Sequence, residues 1–385
     1  MKTVRFNPRK TATAFGMVFG TIIASIAFVM ELTLLPLILG PIQQDLGLSL
    51  SQLSWVFNTY AFAVAAAVLV TGMIGDLVNK RWLFAFGVIL FASGSALAAM
   101  SSDFQSLVLS RALQGAGGGL FSPLVPILLT HAFPVRSGRI LMIWGGLAGI
   151  AATVLPIMGH SIQSAFGWRA IFYAFAGTSL IALILASISA ANTYPQAARG
   201  IPRYRSLRAH PGIWLILVYI FLTYGSFTYY LFYLPTRLHS GASVALLLTS
   251  VWFSFSIFSF VLRDKLEGHN LKRTLMFAPL LLTAGFLTAI AFQDATGAQY
   301  LSAILVGAGL ACSNSPSTHL LLKLTPTELR ALTSSLDITF ARCGGAIAVA
   351  LFSDVGPVLA ASAVITFFVL AIVCAGFAER YKANG

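Results

Sequence analysis

The sequence predicts an all-α membrane protein of twelve transmembrane helices arranged as two six-helix bundles. Three observations carry that reading. Charged residues make up only 9% of the chain and hydrophobic ones 58%, whereas soluble domains devote roughly a quarter of their residues to charge, so lipid is the solvent that fits. Apolar runs of roughly 20 residues, the length that crosses a bilayer, recur from end to end. Nearly all Lys and Arg residues fall in alternate loops between those runs, the bias that orients a membrane protein. Inside lipid a helix satisfies its own backbone polar groups, which makes the spans helical.

The first span covers 14–40 and follows a basic start of Lys2, Arg5, Arg9 and Lys10. That start resembles a signal peptide, but so long a run holding Glu31 and Pro36 reads as an uncleaved membrane helix. Spans at 51–74, 82–101, 104–130, 139–163 and 169–190 complete the first half. Residues 191–211 then combine Pro195, Pro202 and Pro211 with Arg199, Arg203, Arg205 and Arg208 in a basic, proline-rich linker. The second half has spans at 212–235, 243–262, 274–292, 299–322, 331–353 and 355–378. The predicted domains are therefore 1–190 and 212–385, joined by 191–211.

An even number of spans puts both termini on one side. Of the 24 Lys and Arg residues, the termini and even-numbered loops hold twenty, and the odd-numbered loops hold only Arg169 and Arg237. By the positive-inside rule the termini and the linker are cytoplasmic, in a bacterial inner membrane. An internal repeat supports the division into halves. Leu109-Ser110-Arg111-Ala112-Leu113-Gln114-Gly115-Ala116-Gly117 and Leu301-Ser302-Ala303-Ile304-Leu305-Val306-Gly307-Ala308-Gly309 share six of nine residues at an offset of 192, half the chain length. Parallel six-helix halves around a midplane site are one transporter architecture.

Several classes are excluded. The net charge of +13 lies in short loops, not on a nucleic-acid-binding face. No Gly-x-x-x-x-Gly-Lys-Ser/Thr loop points to ATP, and no Ser-His-acid or metal-ligand cluster points to hydrolysis. Cys312, Cys343 and Cys374 sit in apolar segments without metal-ligand spacing, as small hydrophobes do. The chain is read as a non-enzyme with no cofactor and no metal.

At this point the chain resembles the major facilitator superfamily, and within it the drug:proton antiporter branch. Gly72-Met-Ile-Gly75-Asp76-Leu-Val-Asn79-Lys80-Arg81, between the second and third spans, is similar to the family's cytoplasmic gate, with Asn79 where Gly is usual. Arg111-Ala-Leu-Gln-Gly115 resembles the fourth-helix signature, whose Arg is tied to proton coupling. Met30-Glu31-Leu32-Thr33 with Pro36 resembles the acidic first-helix signature, Glu replacing Asp. Arg342-Cys-Gly344-Gly345-Ala-Ile is similar to a late signature of the branch's larger, fourteen-helix members. The fifth-helix antiporter pattern ends Gly-Pro-x-x-Gly-Gly, and here Leu155-Pro156-Ile157-Met158-Gly159-His160 replaces two of its glycines. The resemblance implies proton-coupled export by alternating access, and the altered fifth-helix pattern leaves import open.

Charge inside a bilayer costs roughly 2.5–3.5 kcal/mol per group, so each instance needs a partner or a purpose. Glu31, Arg111, Asp337 and Arg342 are the four strong candidates. At about 1.5 Å per residue, Glu31 and Arg111 share a depth of roughly 10–14 Å below the far surface. An ion pair between them reads either as a proton site or as a fixed structural link. Five steps along a helix turn by about 140°, so Asp337 and Arg342 do not face one another; Asp337 is placed near His319. Arg342, near mid-membrane without an acid at its level in the second half, suits an anionic substrate group or backbone carbonyls. His160 reads as a polar rim residue or a cavity-facing titratable group.

The seventh span is aromatic. Tyrosines near its ends (Tyr219, Tyr229, Tyr230, Tyr233) read as interfacial belts, while Tyr224, Phe227 and Phe232 are mid-helix candidates for a flat substrate or for packing. The expected partners are a small-molecule substrate, protons and the lipid bilayer, with the chain acting as a monomer and without nucleic acid. Three functions stay open: export of a small organic compound, carriage of an anionic metabolite or carboxylate-type siderophore, and a non-transporting receptor or scaffold.

Overall fold

The structure is a computed structural model and describes residues 8–74, 77–133, 137–187, 210–237, 241–262, 269–326 and 329–378. Its helices are α1 (Pro8–Leu46), α2 (Leu50–Ile74), α3 (Lys80–Ala99), α4 (Phe104–Phe121), α5 (Leu124–Ala132), α6 (Ser137–Phe166) and α7 (Trp168–Ser187), then α8 (Pro211–Arg237), α9 (Gly241–Leu262), α10 (His269–Ala291), α11 (Thr296–Leu324), α12 (Arg330–Phe352) and α13 (Pro357–Ala378). Because α4 and α5 form one membrane-length segment, Phe104–Ala132, these thirteen pieces make twelve spans.

The break between α4 and α5 was not foreseen and has a local cause. Pro123 has no N–H to give the Gly119 carbonyl one turn back. The Thr71 hydroxyl of α2 donates to that carbonyl at 3.3 Å instead. Among the described residues, eleven spans are apolar enough to cross a bilayer on hydropathy alone. The other, α11, is diluted by the polar run from Ser313 to His319, of which Ser313 and Ser317 are buried against other helices.

Helices α1–α7 and α8–α13 form two bundles with matching internal packing: α4 lies against α2 and α3, and α11 against α9 and α10. The repeated Gly-Ala-Gly explains how. A side chain at Gly115 would collide with the Tyr60 backbone of α2, and one at Gly117 with the Phe91 backbone of α3; Gly307 meets Val251 of α9, and Gly309 meets Leu282 of α10. Each pair of glycines lets one central helix approach two neighbours at backbone distance, as small residues do in membranes. The predicted linker lies outside the described residues except at its last two positions, His210 and Pro211.

The halves meet along α2–α12 and α6–α9, with α1 also touching α8 and α9. Near the end that carries Lys80 and Arg81, here the basic end, Gly72 abuts Ser335 and Thr339 donates to the Ala65 carbonyl at 3.3 Å. Near the far end the rings of Phe57 and Phe232 meet edge to face at 5.7 Å. The halves therefore touch at both ends.

Candidate functional site

Arg111 is 0% exposed and Glu31 2%. Each nitrogen of the guanidinium donates a hydrogen bond: Nη2 to Glu31 Oε1 at 2.5 Å, Nη1 to Gln114 Oε1 at 2.5 Å and Nε to the Val56 carbonyl at 3.2 Å. Gln114 lies one turn along α4, which points its amide at the same group, and its own nitrogen donates to Ser95 Oγ at 3.0 Å. The Tyr60 ring packs under the guanidinium carbon at 4.5 Å, with Phe172 at 5.9 Å. A cation with a counter-charge and a hydrogen bond at every nitrogen is a tolerable buried group. Truncating Glu31 or Arg111 alone to an apolar side chain would leave the other buried without its counter-charge and the hydrogen bond between them, a change that typically costs about 3–5 kcal/mol.

The second half holds a separate polar layer. Thr318 of α11 donates to Asp337 Oδ2 of α12 at 2.5 Å. The Tyr224 hydroxyl of α8 donates to Asn314 Oδ1 at 2.7 Å, and Thr223 shares a hydrogen bond with Ser313 at 2.8 Å. This corrects one expectation: His319, placed beside Asp337 from the sequence, is exposed, and its neighbour Thr318 takes that role. A single residue step turns a helical side chain by about 100°.

Arg342 crosses the seam. Its guanidinium lies over the Phe28 ring of α1 at 5.2 Å, and among the described residues no carboxylate pairs with it. Phe28 in turn touches the Tyr60 ring, with centroids 6.4 Å apart. The Tyr60 hydroxyl is buried with no hydrogen-bond partner. Thus a two-ring bridge connects Arg111 of one half with Arg342 of the other.

The remaining candidates are dispersed. His160 lies at the far-end seam between α6 and α9, where its Nδ1 is buried without a partner and a Cβ on Gly241 would come within 3.2 Å of it. Phe227 is buried against Trp252 at 5.8 Å. The α8 tyrosines are not interfacial belts: Tyr219, Tyr229, Tyr230 and Tyr233 are all buried. Tyr219 and Tyr229 donate to the carbonyls of Leu275 and Phe352 at 2.8 and 2.9 Å, and Tyr230 accepts from Ser302 at 3.0 Å. Tyr219, Tyr229 and Tyr230 clip α8 to α10, α12 and α11, because the helix is central and these three phenols find hydrogen-bond partners inside.

Of the gate residues, Gly75 and Asp76 lie outside the described residues. Gly72 faces Ser335 across the seam. Arg81 instead works within the first half, donating to the carbonyls of Ala186 and Ser187 at 3.2 and 3.4 Å, where a cation complements the C-terminal end of α7. Lys80 opens α3 and is half-buried. Asn79, the departure from the usual Gly, caps α3 by accepting from the Arg81 N–H at 3.0 Å.

Sequence reasoning missed Tyr60, Gln114, Asn314 and Thr318. The polar run in α11 was visible and could have led to the last two. Asn58 was missed as well; it is wholly buried on α2 with neither amide atom bonded.

The family model described as Major Facilitator Superfamily matches residues 17–350. The chain belongs to the Major Facilitator Superfamily. Its curated relatives include Multidrug resistance protein 3 of Bacillus subtilis, 30% identical over 165 residues that cover 43% of this chain and 32% of the relative. The Tetracenomycin C resistance and export protein of Streptomyces glaucescens is 36% identical over 37% of this chain and 27% of its own length. The Methylenomycin A resistance protein of Streptomyces coelicolor is 29% identical over 54% and 41%. The chain thus spans less than half the length of these curated relatives. Among solved structures, an auto-inhibited POT family peptide transporter superposes with a TM-score of 0.76 at 10% identity, covering 97% of both chains. A D-xylose-proton symporter gives 0.73 at 15%, covering 95% of this chain and 97% of its own. At such identities these structures establish the major facilitator fold alone.

Proposed function

We propose that this superfamily member is a transporter, not an enzyme, and that it exports a small organic compound in exchange for protons. The observation that carries the reading is the Glu31–Arg111 pair, out of solvent in the first half, since ionisable groups inside a membrane are functional by default. Glu31 takes the proton from the far side, its attraction to Arg111 falls, and the two bundles rock about the central site. The multidrug and antibiotic-resistance names of the relatives support export. The chain acts as a monomer in a bacterial inner membrane, with both termini in the cytoplasm. Proteoliposomes with an imposed pH difference test this, using ethidium as the probe. Wild type is expected to move ethidium against its gradient with a matching proton flux; ethidium movement without proton flux overturns coupling.

A second reading, carriage of an anionic compound, rests on Arg342, a central guanidinium without a carboxylate among the described residues. If it clamps a substrate carboxylate, Arg342→Lys loses the two-pronged geometry while keeping the charge. Succinate or citrate binding, followed by calorimetry, then weakens in Arg342→Lys and weakens further in Arg342→Gln.

A further inference from the structure

Arg342 has a position that substrate binding does not require. It leaves its own half and lies over Phe28 of α1. Phe28 is three residues before Glu31, so the two share a face of α1, one helical turn apart. On that face Glu31 meets Arg111, and the buried Tyr60 hydroxyl lies within electrostatic reach of Glu31, Arg111 and Arg342 together. Glu31 thus pairs with Arg111 of its own half, while Arg342 of the other half lies over the ring one turn away on α1.

The charged and titratable groups around this point are few. Helix α1 contributes Glu31, α2 Tyr60, α4 Arg111 and α12 Arg342. Asp337, also on α12, is turned to Thr318 of α11, and Tyr224 of α8 is turned to Asn314. Phe172 is what α7 presents. Among the described residues neither Asp337 nor Tyr224 forms an ion pair with Arg342, although Tyr224 lies within electrostatic reach of both Asp337 and Arg342.

We propose that Arg342 is an electrostatic latch between the two halves, held by ionised Glu31 and released when Glu31 is protonated. With Glu31 ionised, one negative charge lies among two positive ones, and the attraction draws α12 onto α1. With Glu31 protonated, two guanidiniums remain on either side of the Phe28–Tyr60 ring pair without that negative charge, and their repulsion pushes the seam apart. A proton thereby acquires different affinities for the two arrangements, which is the condition for it to shift their populations. The latch rests on the proposal that Glu31 is the proton site. It adds the residue through which protonation would be felt across the seam.

Spin labels test it in the full chain with its three cysteines replaced. One pair, Leu77→Cys with Arg330→Cys, reports the basic end, and another, Ser51→Cys with Leu351→Cys, reports the far end; all four positions are exposed. Distance distributions are measured by electron resonance between pH 8 and pH 5 in lipid nanodiscs. Wild type is expected to shift at one or both ends as the pH falls. Glu31→Gln should hold the low-pH distribution throughout, Arg342→Gln should lose the shift, and Arg342→Lys should keep it, since a latch needs charge and not the guanidinium fork. If Arg342→Gln shifts like wild type, the latch fails while the proton reading stands. Should Arg342→Gln not fold, Arg342→Lys decides alone, and loss of the shift in it overturns the latch. A wild type that does not move with pH, or a Glu31→Gln that moves like wild type, overturns the proton reading and the latch with it.

Discussion

The Glu31 carboxylate meets the Arg111 guanidinium at 2.5 Å, joining α1 to α4 with both side chains out of solvent. A pair so placed is weak evidence for stability, because desolvation offsets much of the attraction. Its value lies in what happens when one member loses its charge.

Glu31→Gln, which mimics the protonated acid, should fold, still bind ethidium, and fail to drive its transport with a pH difference. Arg111→Ala should be worse, stranding a buried carboxylate and lowering stability by about 3–5 kcal/mol. Thermal melting in detergent beside proteoliposome transport separates the two. Active pH-driven transport by Glu31→Gln would remove Glu31 from the coupling step and leave Asp337 as the next candidate.

Thr318 should matter where His319 does not. Thr318→Val removes the donor to Asp337, a hydrogen bond to a charged group, and should cost about 1.5–3 kcal/mol. Thr318→Ser should restore most of it. His319→Ala, at an exposed position, should stay within about 0.5 kcal/mol of wild type. Melting curves of the three variants check the assignment.

Gly72 tests the basic-end seam. A Cβ there would run into Ser335 of the opposite half, so Gly72→Val should hold that end apart. The expected outcome is near-normal expression with slowed transport, and Ser335→Gly in the same chain should recover part of the rate. Unchanged transport by Gly72→Val would show that this contact opens and closes without consequence.

Orientation can be read from labelling. In a cysteine-free chain, a cysteine at Ser206 should resist a membrane-impermeant maleimide in intact cells, and one at Ala295 should react. The reverse pattern would invert the topology drawn from the basic loops.

Much of this molecule was legible as a string because a bilayer imposes constraints along one dimension. Span lengths, the side on which Lys80, Arg81, Lys272 and Arg273 collect, and the half-length repeat all follow from position along the chain. So does the shared depth of Glu31 and Arg111, which needs only a residue count and a helical rise. Azimuth, by contrast, was set in three dimensions. Whether Thr318 or His319 faced Asp337 depended on one step of about 100° and on where α12 stood relative to α11. The α8 tyrosines became internal clips because α8 is central, which no count along the chain reveals. Arg342 found Phe28 of the other half only once α12 lay against α2. Depth is a property of a helix alone, but the partner of a side chain is a property of two helices and the angle between them. That is why the charges could be listed from the sequence, while only the tertiary structure decided which groups they meet.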